Sequence, residues 1–260
     1  LRGIKKSYGD KDVLTGMELH VRIKERIGLI GINGAGKTTA ANILAGELEP
    51  DEGVIESSSD HLNIGYLRQS VEYSSKTFKA IEEAGHDKGF YTFASLMGLR
   101  KLKKWNEEDF GHLSGGERIK LALAHVWASS PDLLILDEPT NHLDIDAITW
   151  LEDFLSEYFG TVIVVSHDRH FLNNVCTHIV DIDYTQIKMY VGNYEFWYES
   201  SQMMQRMIRQ QNKKTEEKIK ELKTFIERFS ANKSKSRQAT SRRKLLDNLT
   251  VEQLPASSRR

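Results

Sequence analysis

The chain has 260 residues, 39% of them hydrophobic, and a formal net charge of -1 that conceals a division: residues 201–260 carry 16 Lys and Arg against 6 Asp and Glu. A chain of this size buries one full-sized core and leaves little for a second; its single cysteine, Cys176, excludes an intrachain disulfide, as suits a reducing, cytoplasmic setting. Its apolar runs are of strand length, far short of the ~20 residues a membrane helix needs, so no bilayer span is expected.

LRGIKKSYG reads as the second half of a first strand, with a few residues missing before Leu1; a targeting signal would have to lie there. Further on, strand-like and helical segments alternate: ERIGLIG then TTAANILAG, LNIGYLRQ then a helix around TFKAIEEAG, LLILDEP then AITWLEDFLSEY, TVIVVSHD then HFLNNV. Near-continuous apolar strands followed by helices predict a mainly parallel sheet covered on both faces. Residues 1–194 are therefore expected to form an α/β domain.

From Glu195 to Phe229 there is no Gly or Pro, and Met204, Met207, Ile208, Ile219, Leu222, Ile226 and Phe229 recur at helical spacing. A second helix carrying Leu245, Leu246 and Leu249 can pack back on the first, making residues 195–260 a helical hairpin. Between them lies RFSANKSKSRQATSRRK, Arg228 to Lys244, with seven basic residues and no acidic one. Such a block suits a polyanionic partner; a coiled-coil dimerisation hairpin is the alternative that periodicity leaves open.

Three motifs carry chemistry. GINGAGKT, Gly31 to Thr38, lies between a predicted strand and a helix, the context a phosphate-binding loop requires. Its glycines let the backbone N–H groups of Asn33, Gly34, Ala35 and Gly36 turn inward around phosphates, where the helix start adds partial positive charge. Lys37 is expected to reach the β- and γ-phosphates and Thr38, followed by Thr39, to hold Mg2+. LLILDEP delivers Asp137 and Glu138 to the carboxyl edge of the sheet, where α/β ligands bind. Asp137 then suits the Mg2+ shell, and Glu138 a base that polarises the attacking water. LSGGE, Leu113 to Glu117, puts Ser114, Gly115 and Gly116 before the apolar-faced helix IKLALAHVWA, as a second phosphate-binding helix start.

In this order and spacing the motifs resemble those of ATP-binding cassette ATPases, with a P-loop fold. The resemblance implies that Tyr8 in KKSYG stacks on adenine and that Gln69 in GYLRQ contacts Mg2+ and the lytic water. It also implies that Asp144 in TNHLD crosses to another cassette and that His167 in VVSHD faces the γ-phosphate. It implies further that ATP is sandwiched between the Gly31 loop of one cassette and the LSGGE of a second, which must come from a homodimer or from chain beyond Arg260.

PTNHLD with VVSHDRHFL, VGNYEFWYE and FIERFSANKSKSRQATSRRKLLDNL together resemble the ABC-F translation factors, two-cassette proteins without a membrane domain. That resemblance implies a Mg2+-dependent ATPase whose basic linker contacts rRNA and tRNA near the ribosomal exit site, here through Lys233, Lys235, Arg237, Arg242 and Arg243, in translation regulation or antibiotic protection. The 43 residues between Gln69 and Leu113 leave little room for the arm some members insert there. The ATPase subunit of a membrane transporter is the alternative reading.

Overall fold

The computed structural model describes residues 1–59, 61–69, 95, 98–99, 112–183, 186–229 and 236–247. Elements are numbered over these residues. The helix expected around TFKAIEEAG lies outside them. The chain divides into two compact units, Leu1–Trp197 and Tyr198–Arg260.

In the first unit, a six-stranded sheet has the order β5-β6-β7-β3-β8-β9. Its strands are β3 (Arg26–Gly31), β5 (Ile64–Leu67), β6 (Leu133–Asp137), β7 (Thr161–Val165), β8 (His178–Asp183) and β9 (Gln186–Val191). The first five in spatial order run parallel; only β9 is antiparallel to its neighbour. Every residue of β6 and β7 is buried, so their aliphatic runs do not alternate with polar residues.

The pleat divides those runs between two cores. Leu134, Leu136, Val162 and Val164 join one cluster with Leu121, Leu151, Leu155, Phe171 and Leu172, which belong to α2 (Gly115–Ala128), α3 (Ile145–Glu157) and α4 (Arg169–Val175). Ile135, Ile163 and Val165 join the other with Ala40, Ala41 and Ile43 of α1 (Lys37–Leu44) and with Ile4, Leu14 and Met17. Each fully buried aliphatic contributes about 1.5–3 kcal/mol, and truncating Ile135 to Ala costs about 2–5 kcal/mol. Arg26 fixes the far end of α3, its guanidinium donating to the carbonyls of Leu155, Ser156 and Tyr158 at 2.6, 2.5 and 2.9 Å.

A separate three-stranded antiparallel sheet, order β2-β1-β4, comprises β1 (Arg2–Tyr8), β2 (Lys11–Met17) and β4 (Glu52–Val54). The expectation of a mainly parallel sheet does not include it. Its strands each bury at most two residues, so they lack the long apolar run that marks the central strands.

α5 (Tyr194–Phe229) has 36 residues, a length of about 54 Å at 1.5 Å per residue. Asn193 caps it, its side chain accepting the Phe196 N–H at 3.1 Å. Within the second unit α6 (Ser236–Asp247) lies back on α5: the Arg242 guanidinium sits 3.6 Å over the Phe225 ring. Leu222 is buried, and Leu249 lies outside the described residues.

Candidate nucleotide-binding site

β3 ends at Gly31 and α1 begins at Lys37, so the loop between them sits at the carboxyl edge of the sheet. Gly36, the residue before α1, has φ 100° and no side-chain cap. A Cβ there would lie 2.8 Å from Val13 Cγ1, so both the left-handed backbone and the close approach of β2 call for glycine. The first-turn N–H groups of α1 are left to an external acceptor. Lys37 is buried, and its Nζ donates to the carbonyls of Gly31 and Ile32, both at 3.0 Å, folding the ammonium over the loop.

β6, two strands away, ends in the carboxylates. Asp137 is 2% exposed, and among the described residues neither of its carboxylate oxygens has a hydrogen-bond partner. Burial pushes its pKa up, opposed by the Thr38 hydroxyl, which comes near without reaching hydrogen-bond geometry, and by the Lys37 ammonium. A buried carboxylate left without donors is costly. It is the kind of oxygen donor a hard divalent cation takes, so its chemistry fits Mg2+, and Thr38 and Gln69 line the same cleft. Among the described residues no three His, Cys, Asp or Glu form a metal cage of their own.

Glu138 stands in the left-handed region at φ 52°, held by its N–H donating to Val165 O at 2.7 Å. That conformation turns its carboxylate toward His167 at the end of β7: Oε2 accepts the His167 backbone N–H at 3.4 Å, and Oε1 lies 3.5 Å from Nε2. Burial raises the Glu138 pKa, opposed by His167 and assisted by Asp137. A carboxylate raised toward neutrality accepts a proton more readily.

These groups share one cleft of about 610 Å3. Of the expected site residues, Tyr8, Asn33, Gly34, Gly36, Lys37, Thr38, Thr39, Gln69, Asp137, Glu138 and His167 line it. Gly31 and Ala35 are not part of its lining. Lys11, Val13, Asn141 and Val165 also line it; Asn141 lies within PTNHLD and Val165 within VVSHD, but neither is given a role by the motif, and Lys11 and Val13 belong to none. Val13 falls at a shift in the β1–β2 register, which alternation along the strand does not predict.

Ser114, Gly115 and Gly116 are not in this cleft. Ser114 forms a capping box with Glu117, its Oγ and N–H both bonded to the Glu117 carboxylate at 2.8 and 2.9 Å. A Cβ on Gly116 would lie 2.5 Å from His142 O, so the start of α2 is pressed against the NHLD loop. Asp144 caps α3, accepting Ala147 N–H at 2.8 Å, and pairs with Lys120 of α2 at 3.0 Å. Of the basic residues, Lys233 and Lys235 lie outside the described residues, Arg237 is on α6, Arg242 stacks on Phe225, and Arg243 is exposed.

A phosphate loop, a carboxylate pair and a switch-like histidine at the carboxyl edge of this parallel sheet define a P-loop ATPase domain. The chain belongs to the ATP-binding cassette family: it matches the "ABC transporter" family over residues 14–141 and a second family described as "ABC transporter", the extension of the first, over residues 180–260. Its relatives include sub-family F proteins. It is 43% identical to the uncharacterized ABC transporter ATP-binding protein YkpA of Bacillus subtilis (strain 168), covering 90% of this chain and 51% of that one. It is 32% identical to the ATP-binding cassette sub-family F member 3 of Mus musculus, over 94% and 39%. The chain thus spans about half the length of these curated relatives, or less. A solved archaeal ribosome recycling factor, in complex with a ribosomal stalk protein, is similar over 68% of this chain and 35% of its own, at 27% identity and a TM-score of 0.57. No helix among the described residues is long and apolar enough to cross a membrane.

Proposed function

We propose that this chain is one cassette of an ATP-hydrolysing ABC-F protein that acts on the ribosome, with its basic hairpin contacting rRNA or tRNA. The observation that carries the ATPase reading is the buried Asp137, its oxygens without partners among the described residues, in one cleft with Lys37, Thr38, Glu138 and His167.

The chemistry divides among these residues. The loop N–H groups and Lys37 hold and orient the phosphates, and Tyr8, half exposed at the cleft mouth, offers a face to the base. When bound, Mg2+ neutralises charge developing on the transferred phosphoryl group; Asp137 and Thr38 would hold it, with Gln69 beside them. Glu138 takes a proton from the attacking water, and His167 steadies its carboxylate from the opposite side. Ser114, Gly115 and Gly116 are not part of the lining of this cleft and serve the nucleotide of a second cassette, supplied by further chain or by another copy.

The ribosomal part rests on the +10 balance of residues 201–260, on sub-family F kinship and on the ribosome recycling factor among similar structures. Lys and Arg spaced among Ser, Asn, Thr and Gln neutralise phosphates without demanding a base sequence. The test is co-sedimentation of the two-cassette protein with ribosomes, with Glu138→Gln holding ATP in place. ATP-dependent pelleting that weakens as salt rises is the expected result. Absence of pelleting at low salt, with ATP binding intact, would overturn the ribosomal reading and favour a transporter ATPase subunit.

A further inference from the structure

The turn that presents Tyr8 to the cleft presents a cation beside it. Tyr8 and Lys11 are cross-strand partners at the end of the β1–β2 ladder, with Gly9 and Asp10 between them. Side chains of directly opposed residues leave the same face of a ribbon, and alternate residues share that face. Val13 falls at the shift in register between Lys6 and Ser7, and its contact with Gly36 puts it on the Lys11 side. Asp12 is on the other side, its carboxylate accepting the Ser7 hydroxyl at 2.8 Å.

Tyr8, Lys11 and Val13 all line the cleft, and the Lys11 Nζ lies 3.8 Å from where a Cβ on Gly34 would stand. The ammonium is thus next to the phosphate loop, between the aromatic platform and the loop backbone. Other lysines of this sheet are occupied: Lys5 pairs with Glu52 and Lys6 with Asp51, each at 2.6 Å. Lys11 has no ion pair among the described residues. Lys37, the other lysine lining the cleft, is already bonded to two loop carbonyls.

We propose that Lys11 is a nucleotide-binding residue, its ammonium contacting the phosphate chain seated in the Gly31–Thr38 loop and favouring nucleoside polyphosphates over monophosphates. The assignment rests on the ATP reading of the cleft. A lysine is a flexible point charge with three donors, so it can follow the phosphates from an exposed stem. Its attraction grows with the negative charge it meets. A contact to the base or ribose would instead act equally on every adenine nucleotide.

The experiment is calorimetric titration of the wild-type chain, Lys11→Gln and Lys11→Arg with ATP, ADP and AMP in the presence of Mg2+. Lys11→Gln should weaken ATP by about three- to tenfold, ADP less and AMP hardly at all, as removal of a partly exposed charge-assisted hydrogen bond implies. Lys11→Arg should restore ATP affinity to within about twofold, since it keeps the charge. The deficit should shrink as salt rises from about 0.05 to about 0.5 M. Because Lys11 is exposed, the melting temperature of the nucleotide-free protein should not change.

An equal loss for all three nucleotides would mean that Lys11 acts through the turn that positions Tyr8, and would overturn the proposal. Unchanged affinities in Lys11→Gln would do the same, marking a solvated surface lysine. A wild-type chain that bound none of the three would sink the ATP reading, and this assignment with it.

Discussion

Glu138 and His167 meet across the ends of two neighbouring parallel strands, the carboxylate held by both the backbone N–H and the ring of the histidine at 3.4 and 3.5 Å. The register that pairs Asp137 with Val165 puts Glu138 within one residue of the level of His167. Glu138→Gln keeps the side-chain shape and an acceptor for the His167 N–H but removes the proton acceptor. In a two-cassette protein it should retain ATP binding and lose about 100-fold or more in turnover, whereas Lys37→Ala should lose binding. Steady-state phosphate release alongside nucleotide titration checks both; turnover at half the wild-type rate in Glu138→Gln would remove Glu138 from the role of base.

Burial raises the pKa of both Asp137 and Glu138, and this links the site to stability. A carboxyl group with a raised folded-state pKa favours the fold in its neutral form. That contribution is complete below the ordinary carboxylate range and is lost as pH rises through the raised value. At neutral pH, without nucleotide or Mg2+, Asp137→Asn and Glu138→Gln should therefore each melt a few degrees above the wild type. The gap should close as pH falls to about 4. Melting curves across that range test it; a gap that widens toward acid would reverse the assigned sign.

Arg242 stacked on Phe225 and Arg243 beside it in sequence separate packing from charge. An exposed cation–π pair contributes about 0.5–1 kcal/mol, so Arg242→Gln should lower helicity on heating while Arg243→Gln leaves it unchanged. Arg242→Lys, which keeps charge without the planar fork, should fall between them. Both Gln variants should weaken binding to tRNA or ribosomes and flatten its salt dependence, by roughly 0.7–0.9 in slope for each phosphate that is no longer neutralised. Circular dichroism with sedimentation over a salt series distinguishes the two effects.

The position of Ser114 outside the cleft, bonded within its own capping box, leaves a lone cassette with half of the expected nucleotide-binding surface. The 260-residue chain should bind ATP weakly, and its turnover per molecule should rise with protein concentration as copies pair. Fast turnover independent of concentration in a sample shown to be monomeric would contradict the half-site reading.

The central strands are legible in the sequence because burial on both faces leaves no polar residue to break the aliphatic runs at Leu133–Leu136 and Val162–Val165. The phosphate loop and carboxylates are legible because their chemistry needs particular residues at fixed spacing. The β2-β1-β4 sheet is legible only in β1, which LRGIKKSYG marks as a strand: Lys5 and Lys6 pair with Glu52 and Asp51, far along the chain, so β2 and β4 look like charged loop until the pairing is known. Lys11 escapes notice for the same reason, since only its register with Tyr8 aims it at the cleft. Asp144, expected to cross to another cassette, has its side chain engaged in capping α3 and holding Lys120. The Arg242 stack depends on the return of α6, which a charge count does not reveal.

Glu138 sits at φ 52°, a conformation that costs a non-glycine residue on the order of 1–2 kcal/mol. Glycine at 138 would relax both that backbone and the buried charge. The residue assigned to the chemistry is thus one whose loss makes the resting fold more comfortable, so fold stability offers it no protection. A lineage released from the need to hydrolyse nucleotide would let this position decay early, while the aliphatic strand behind it stayed fixed by packing. On the proposed reading, glutamate at 138 answers to turnover and not to the fold.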